Sequence, residues 1–283
     1  MWSLLEFFPE GFLINIVDIG AALSERPSYQ GIVNAGRGRI IGFEPDAAEC
    51  RRLNERYGSP HQFFPHFVGD GNPGVFHETN WNLTGSLLEP NRALARSFAN
   101  LDELLQPKAQ HAVSTSRLDD IPGIDDVDFI KIDIQGAELM VFRNAPRIMA
   151  QTLMIQTEVE FVEIYKGQPL FADVDTFLRQ AGYQFHTFLG FGMRAFKPLM
   201  KSADPNAGFN QLLWSDAIYL RDWLRFDVLA TLKLKKLAVL VHDILGSYDL
   251  CHVVLEEIDR REARSLAPRY RERLGVVNGP SGA

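Results

Sequence analysis

Short apolar runs, several of them ending in glycine or an acidic residue, recur along this chain and alternate with helical segments. The runs predict strands over residues 14–20, 39–45, 61–69, 128–134, 152–160, 183–191 and 215–222. Helical spacing and capping residues predict helices over residues 47–58, 136–149 and 169–182. Buried strands that alternate with helices are typical of a mostly parallel sheet with helices on both faces. The fold class that follows is α/β, with a doubly wound, mostly parallel, seven-stranded sheet.

The chain divides into two predicted parts. Residues 1–222 carry the alternating pattern, and residues 71–120 interrupt it as an insertion on the sheet. Residues 223–283 are predicted to be a helical extension, because apolar positions recur there at helical spacing. The basic run KLKK at 233–236 is expected to form the solvated face of a helix. The extension would pack on the first domain or on a partner, and a homo-oligomer through these helices is one interpretation.

Composition and charge exclude several classes of protein. The chain has 283 residues, of which 46% are hydrophobic and 23% charged, which is ordinary for a globular protein. Its net charge of -7 gives no reason to expect nucleic acid as a partner. Two distant cysteines, Cys50 and Cys251, form neither a disulfide framework nor a metal-binding spacing.

With no secretory leader and no apolar stretch long enough to span a bilayer, the expected location is cytoplasmic.

Polar residues follow the predicted strands at the points where they end. They are Asp18 to Gly20, Glu44 to Asp46, Gly69 with Asp70, Asp133 to Gly136, and Glu158. Ligands bind beyond the carboxyl ends of the strands in an open parallel sheet. A core has no use for unpaired carboxylates, because burying them is costly. The sequence therefore predicts a ligand site at this edge of the sheet.

The first two strand ends favour a nucleoside cofactor. Glu44 stands 24 residues after Gly20, a spacing at which a carboxylate can accept the ribose hydroxyls. A simple turn and a helix-terminal charge are the alternative interpretation. The run GAALSE after the first strand has one glycine and no cradle for a pyrophosphate. S-adenosylmethionine, which has no phosphate, fits this turn better than a nicotinamide dinucleotide.

Five segments together resemble the FkbM-type family of methyltransferases over roughly residues 14–221. They are VDIGA, GFEPD, GSLLEPN, DFIKIDIQGAE and TEVEFVEIYKGQPLFADVDTFL. The resemblance implies a Rossmann-like, class I methyltransferase fold in residues 1–222 and S-adenosylmethionine as cofactor. The residues it implies for cofactor binding are Asp18, Gly20, Ala21, Glu44, Pro45, Asp46, Gly69, Asp70, Ser86 and Asp133. The chain departs from the family where Ala22 replaces a frequent asparagine and Leu23 follows.

Three carboxylates are candidate catalytic residues. Asp133 follows the fourth strand, where it could deprotonate or orient an acceptor hydroxyl. Glu138 lies in the first turn of the next helix, where it would either join this chemistry or cap its own helix. Glu158 ends the fifth strand, opposite Asp133. The sequence predicts no dedicated metal site, although Asp133 and Glu158 could together hold a hard divalent cation.

The segments around these carboxylates bear on the acceptor. DIQGA after the fourth strand has neither the prolines nor the aromatic residue typical of enzymes that methylate amino groups. The family resemblance implies a hydroxyl on a sugar, glycan or polyketide-like small molecule. The loop IYKGQPLF (164–171) could form part of the acceptor wall. For Phe188, Phe191 and Phe196, a place in the core is favoured over a place in the pocket.

Two other functions stay open. A nicotinamide-dependent oxidoreductase on a related sheet is one, although the absence of G-x-G-x-x-G counts against it and an antiparallel final strand would count further. A non-catalytic binding or scaffold protein on a methyltransferase fold is the other, and the altered GAALSE turn and the C-terminal helices are the features that support it.

Overall fold

The computed structural model describes residues 2–21 and 27–275. The chain divides into two compact units. One, called the helical unit below, comprises Met1–Ile14, Arg26–Gly38 and Asp222–Ala283. The other, called the sheet unit, comprises Asn15–Glu25 and Arg39–Arg221. The sequence did not assign the N-terminal segments to the helical unit, and independent folding on either side of residue 222 stays a prediction.

Seven strands form the main sheet, in the order β3-β2-β1-β7-β8-β10-β9. The strands of the described ranges are β1 (Ile14–Ile19), β2 (Gly38–Phe43), β3 (Gln62–Phe64), β4 (Phe67–Val68), β5 (Pro73–Thr79), β6 (Pro107–Ser116), β7 (Phe129–Ile132), β8 (Met154–Glu160), β9 (Tyr183–Met193) and β10 (Leu212–Arg221). β7 runs parallel to both β1 and β8, and β3 runs parallel to β2. β10 is antiparallel to both of its neighbours.

The predicted mostly parallel, seven-stranded sheet is thus confirmed. Its central strands are buried almost throughout, which is why they appear in the sequence as continuous apolar runs. β10 is the antiparallel final strand that was expected to count against a nicotinamide-dependent oxidoreductase.

The helices follow the predicted alternation, with one division. They are α1 (Gln30–Asn34), α2 (Ala47–Tyr57), α3 (Arg92–Ala95), α4 (Leu101–Leu104), α5 (Glu138–Arg143), α6 (Pro146–Gln151), α7 (Phe171–Gln180), α8 (Thr231–Val239), α9 (Tyr248–Glu262) and α10 (Leu266–Leu274). The helix predicted over 136–149 is two helices, α5 and α6. Pro146 begins the second, and the residue before a proline avoids the helical conformation.

The insertion at 71–120 supplies two strands, β5 and β6, to a second, three-stranded sheet in the order β4-β6-β5. The strand predicted over 61–69 is interrupted at Pro65, so that β3 joins the main sheet and β4 joins the small one. The sequence did not predict β6, because most of its residues are exposed and it has no apolar run. This small sheet supports the segment that carries Ser86.

The helical unit contains α8, a π-helical turn over Leu240–Ile244, α9 and α10. Leu237 and Leu255 are buried in it. The prediction that KLKK forms a solvated face is wrong for Lys236, which is 3% exposed. No helix within the described ranges is long and apolar enough to cross a membrane.

Candidate active site

The turn after β1 lies against the ends of two neighbouring strands. The backbone N–H groups of Gly20 and Ala21 both donate to the carbonyl of Phe43, at 3.0 Å each. Gly20 has a φ of +80°, and a Cβ built on it would lie 2.0 Å from the carbonyl oxygen of Asp133. Only glycine accommodates both constraints. The predicted cofactor turn and the predicted catalytic segment are therefore in direct contact.

Glu44, directly after β2, is a buried carboxylate that is only partly engaged. It is 8% exposed, and its Oε1 accepts the N–H of Asp46 at 3.0 Å. Burial raises the pKa of Glu44, and the neighbouring carboxylates add to that effect. None of the described residues donates to its Oε2. That oxygen is suited to accept hydroxyl groups of a ligand.

The residues after Glu44 have a structural role. Asp46 is exposed, and its Oδ1 accepts the N–H groups of Ala48 and Glu49 at 2.8 Å each. It is therefore the N-cap of α2. Pro45 is half-buried between these two acids. Within the predicted GFEPD segment, Glu44 is the buried carboxylate with an oxygen to which no described residue donates.

The loop after β7 joins two of the predicted catalytic carboxylates through an amide. Gln135 adopts the left-handed conformation, with a φ of +60°. Its Nε2 donates to Asp133 Oδ1 at 2.8 Å and to Glu158 Oε2 at 2.7 Å. The Tyr165 hydroxyl lies 2.9 Å from Gln135 Oε1 and 2.9 Å from the carbonyl oxygen of Thr84. This network fixes the amide, and through it both carboxylates.

Glu138 binds the loop that precedes its helix. Its Oε1 accepts the N–H groups of Ile134 at 2.8 Å and Gly136 at 3.3 Å. Burial raises the pKa of Glu138 to about 7. These contacts stabilise the conformation of the loop that carries Asp133 and Gln135.

A fourth carboxylate, Glu160, belongs to the same group and was missed from the sequence. Burial, with the charges of Glu138 and Asp133, raises the pKa of Glu160 well above its usual range. The pKa of Glu158 is raised in the same way, by burial first and then by Asp133 and Glu160. Residues two apart on a strand share a face, so the alternation TEVE could have indicated Glu160 together with Glu158.

Lys131 supplies positive charge among these acids. It pairs with Asp18 in the register of β1 and β7, and its Nζ lies 3.4 Å from Asp18 Oδ1. Burial lowers the pKa of Lys131, but the carboxylates of Asp18, Asp133 and Asp216 outweigh burial and raise it. In the sequence, Lys131 is one charged residue within the apolar run DFIKIDI, and nothing distinguishes it there.

The remaining predicted residues lie around this loop. Ser86 is buried, and its hydroxyl donates to the carbonyl of Gln135 at 2.7 Å. Gly69 packs against Thr115, since a Cβ on Gly69 would lie 2.9 Å from Thr115 Cβ. Asp70 and Gly136 both line a cavity of about 290 Å³. Ala22 and Leu23 lie outside the described residues.

Asp133, Glu138 and Glu158 approach one another closely enough to share a cation. One carboxylate oxygen from each lies within 4.8 Å of the others, which adds Glu138 to the pair considered from the sequence. The amide of Gln135 already donates to two of these carboxylates. Burial also favours protonation of Glu158. A metal ion bound by these three carboxylates stays a prediction.

The chain is similar to known methyltransferases. The sequence model described as the methyltransferase FkbM domain matches residues 18–185. The 2-O-methyltransferase NoeI of Sinorhizobium fredii is 30% identical over 154 residues, which cover 49% of this chain and 61% of that protein's length. A precorrin-6y C5,15-methyltransferase structure from Geobacter metallireducens aligns over 77% of this chain and 85% of that one, with 12% identity and a TM-score of 0.36. A structural likeness this low adds nothing to the strand order described above.

Proposed function

The chain belongs to the FkbM methyltransferase family, and we propose that it transfers the methyl group of S-adenosylmethionine to a hydroxyl of a sugar, glycan or polyketide-like small molecule. One observation carries the proposal. The tight glycine turn after β1 touches the backbone of Asp133, so the region suited to a cofactor adjoins a group of buried and half-buried carboxylates. Methyl transfer to a hydroxyl needs these two features side by side.

The residues at the ends of β1 and β2 fit a nucleoside cofactor. The unengaged oxygen of Glu44 would accept the ribose hydroxyls, and the turn at Gly20 and Ala21 would lie beside the same cofactor. Asp18, held by Lys131, would border the same cofactor. Gly69 and Asp70 would border its adenine, and Ser86 would hold the loop beneath it. When bound, S-adenosylmethionine supplies a methyl group activated on its sulfonium.

Asp133 is the proposed base. When the bound cofactor supplies its methyl group to the acceptor oxygen, the hydroxyl proton would pass to the Asp133 carboxylate. Gln135 holds that carboxylate in one orientation. Burial and the neighbouring charge of Asp133 raise the pKa of Glu158, which favours its protonated form. Glu138 contributes by fixing the loop.

Transfer of an isotopically labelled methyl group tests the proposal. Sugars, hydroxylated polyketides and amines would be offered with labelled S-adenosylmethionine, and label should appear on oxygen only. Asp133→Asn should lower turnover roughly 10²-fold or more while cofactor binding persists. Asp125→Asn is the matched control, because its side chain is 83% exposed and has no part in the proposed site, and it should keep its activity.

Two outcomes would contradict the proposal. Labelling of amines alone would show that the acceptor class is wrong. Cofactor binding with no turnover on any hydroxyl compound would favour the scaffold alternative. A homo-oligomer through the C-terminal helices stays a prediction, which the solution mass would test.

A further inference from the structure

A second cavity lies at the end of β9, in the segment that connects it to β10. It has a volume of about 330 Å³ and is lined by Arg194, Ala195, Phe196, Phe209, Asn210 and Gln211. This volume lies within the range of small-ligand sites in proteins. None of these residues was proposed above to hold the cofactor or to act as base.

Arg194 is a buried cation that forms no salt bridge with any residue the structure describes. It is 7% exposed, and its Nη1 donates to the carbonyl oxygens of Met193 at 2.9 Å and Asn206 at 3.3 Å. Its Nε is buried and has no hydrogen-bond partner in the described part of the chain. Burial lowers the pKa of Arg194, and Asp204 only partly opposes this effect. A buried guanidinium in this state favours an anionic partner.

The Arg194 guanidinium is also linked to the carboxylate group. Its Cζ lies 5.0 Å from the centroid of the Trp214 ring. Trp214 pairs with Glu160 in the register of β10 and β8, and Asp216 pairs with Glu158. Two successive contacts, Arg194 with Trp214 and Trp214 with Glu160, therefore connect the cavity wall with the carboxylate group.

The local charge and surface suit an anion carried on a ring. Residues 194–211 contain three basic side chains and one acidic side chain, in a chain whose net charge is -7. Phe196 and Phe209 are 53% and 50% exposed. The preference for Phe196 as a core residue was therefore wrong. Exposed aromatic faces offer an apolar surface to the face of a ring.

We infer that this cavity binds an anionic group of the methyl acceptor, a carboxylate or phosphate carried on a ring that packs against Phe196 and Phe209. The inference rests on the proposed function, which supplies the methyl acceptor, and on Arg194, which supplies the positive charge that would bind the anionic group. A planar guanidinium can donate two parallel hydrogen bonds to two oxygens of such a group, which gives both affinity and orientation. Burial of the ion pair would strengthen it relative to a surface pair.

Binding of three sugars that differ in charge tests the inference. Glucuronate, glucose 6-phosphate and neutral glucose would be titrated into the full chain by ligand-observed NMR. At least one charged sugar should bind roughly tenfold or more tightly than glucose, since a charged hydrogen bond of this kind contributes about 1.5–3 kcal/mol. The charged sugar that binds more tightly identifies carboxylate or phosphate as the group recognised.

Variants then assign the preference to the cavity. Arg194→Gln should abolish the preference for charge, and Arg194→Lys should keep part of it. Arg56→Gln is the matched control, because Arg56 also stacks on an aromatic ring, at 5.3 Å from the Tyr57 centroid. Phe209→Ala should weaken the binding of all three sugars several-fold. It also keeps the test decisive if Arg194→Gln does not fold.

The inference is overturned if glucose binds as well as both charged sugars, if the preference survives in folded Arg194→Gln, or if Phe209→Ala changes nothing. Binding of S-adenosylhomocysteine, measured separately, should be equal in wild type and Arg194→Gln. If wild type binds no S-adenosylhomocysteine, the proposed function fails. If wild type binds it but shows no charge preference, only the present inference fails.

Discussion

At the scale of single residues, Glu138 links the site to the pH dependence of stability. Its pKa is about 7 in the folded chain, against an ordinary value of 4.5. Below pH 4.5 the carboxyl is protonated in both the folded and the unfolded state. As the pH rises from 4.5 to 7, the unfolded chain loses this proton first. The stabilisation from Glu138 is therefore lost across that window.

Glu138→Gln should remove this part of the pH dependence. Glutamine keeps an oxygen for the N–H groups of Ile134 and Gly136 but cannot ionise. Between pH 5 and pH 8 the free energy of unfolding should fall less than in wild type, by on the order of 1–3 kcal/mol. Urea unfolding at several pH values measures this fall in the free energy of unfolding, and Glu55→Gln, at an exposed position, is the control. Parallel curves for wild type and Glu138→Gln would contradict the prediction.

The sequence singles out those candidate site residues that lie at the ends of strands. It does not single out residues whose role depends on neighbours that are distant in the chain. Glu44, Asp133 and Glu158 follow or end apolar runs, which makes them visible in the sequence. The role of Gln135 depends on a left-handed backbone that brings its amide between two carboxylates. The role of Lys131 depends on the register of β1 and β7, which places it beside Asp18. Neither arrangement leaves a local pattern in the sequence.

At the scale of elements, the loop between β7 and α5 holds the proposed base through a tyrosine from another loop. Tyr165→Phe removes the hydroxyl that contacts Gln135 Oε1 and the carbonyl of Thr84. The Gln135 amide is then free to rotate, so turnover should fall about tenfold with cofactor affinity unchanged. Steady-state kinetics with separate kcat and KM values, together with calorimetry, would show this.

Tyr183→Phe is the matched control for this variant. Tyr183 is equally buried, and its hydroxyl lies 2.6 Å from the carbonyl of Met149 and 3.1 Å from that of Thr152. Both variants should lose about 1–2 kcal/mol of stability. A similar loss of turnover in both would mean that Tyr165 acts through general stability alone.

Elements with a continuous buried face were predicted from the sequence, and those without one were not. β1, β7 and β8 are buried and apolar, and each was expected close to its observed bounds. β6 is mostly exposed and gave no signal. Between Asn91 and Leu105 lie two short helices, α3 and α4, and Asn100, directly before α4, has a φ of +62°. Composition does not reveal a single left-handed residue of this kind.

At the scale of the whole molecule, the proposed cofactor residues and the C-terminal helices belong to different units. Leu255→Ala should therefore lower stability by about 2–5 kcal/mol, because Leu255 is fully buried in the helical unit. Cofactor affinity should be unchanged. Val253→Ala on the same helix, where Val253 is 47% exposed, is the control and should change stability by less than about 0.5 kcal/mol. Loss of cofactor binding by folded Leu255→Ala would mean that these helices contribute to the site.

The central claim is that Glu44 holds a sulfonium nucleoside cofactor at the end of β2. The most direct measurement is calorimetric titration of S-adenosylmethionine, S-adenosylhomocysteine and NAD into wild type, Glu44→Ala and the exposed control Glu55→Ala. Both sulfur cofactors should bind wild type and the control, NAD should not bind, and Glu44→Ala should weaken binding by about 1.5–3 kcal/mol. Binding of NAD by wild type, no binding of either sulfur cofactor, or an unchanged affinity in Glu44→Ala would contradict the claim.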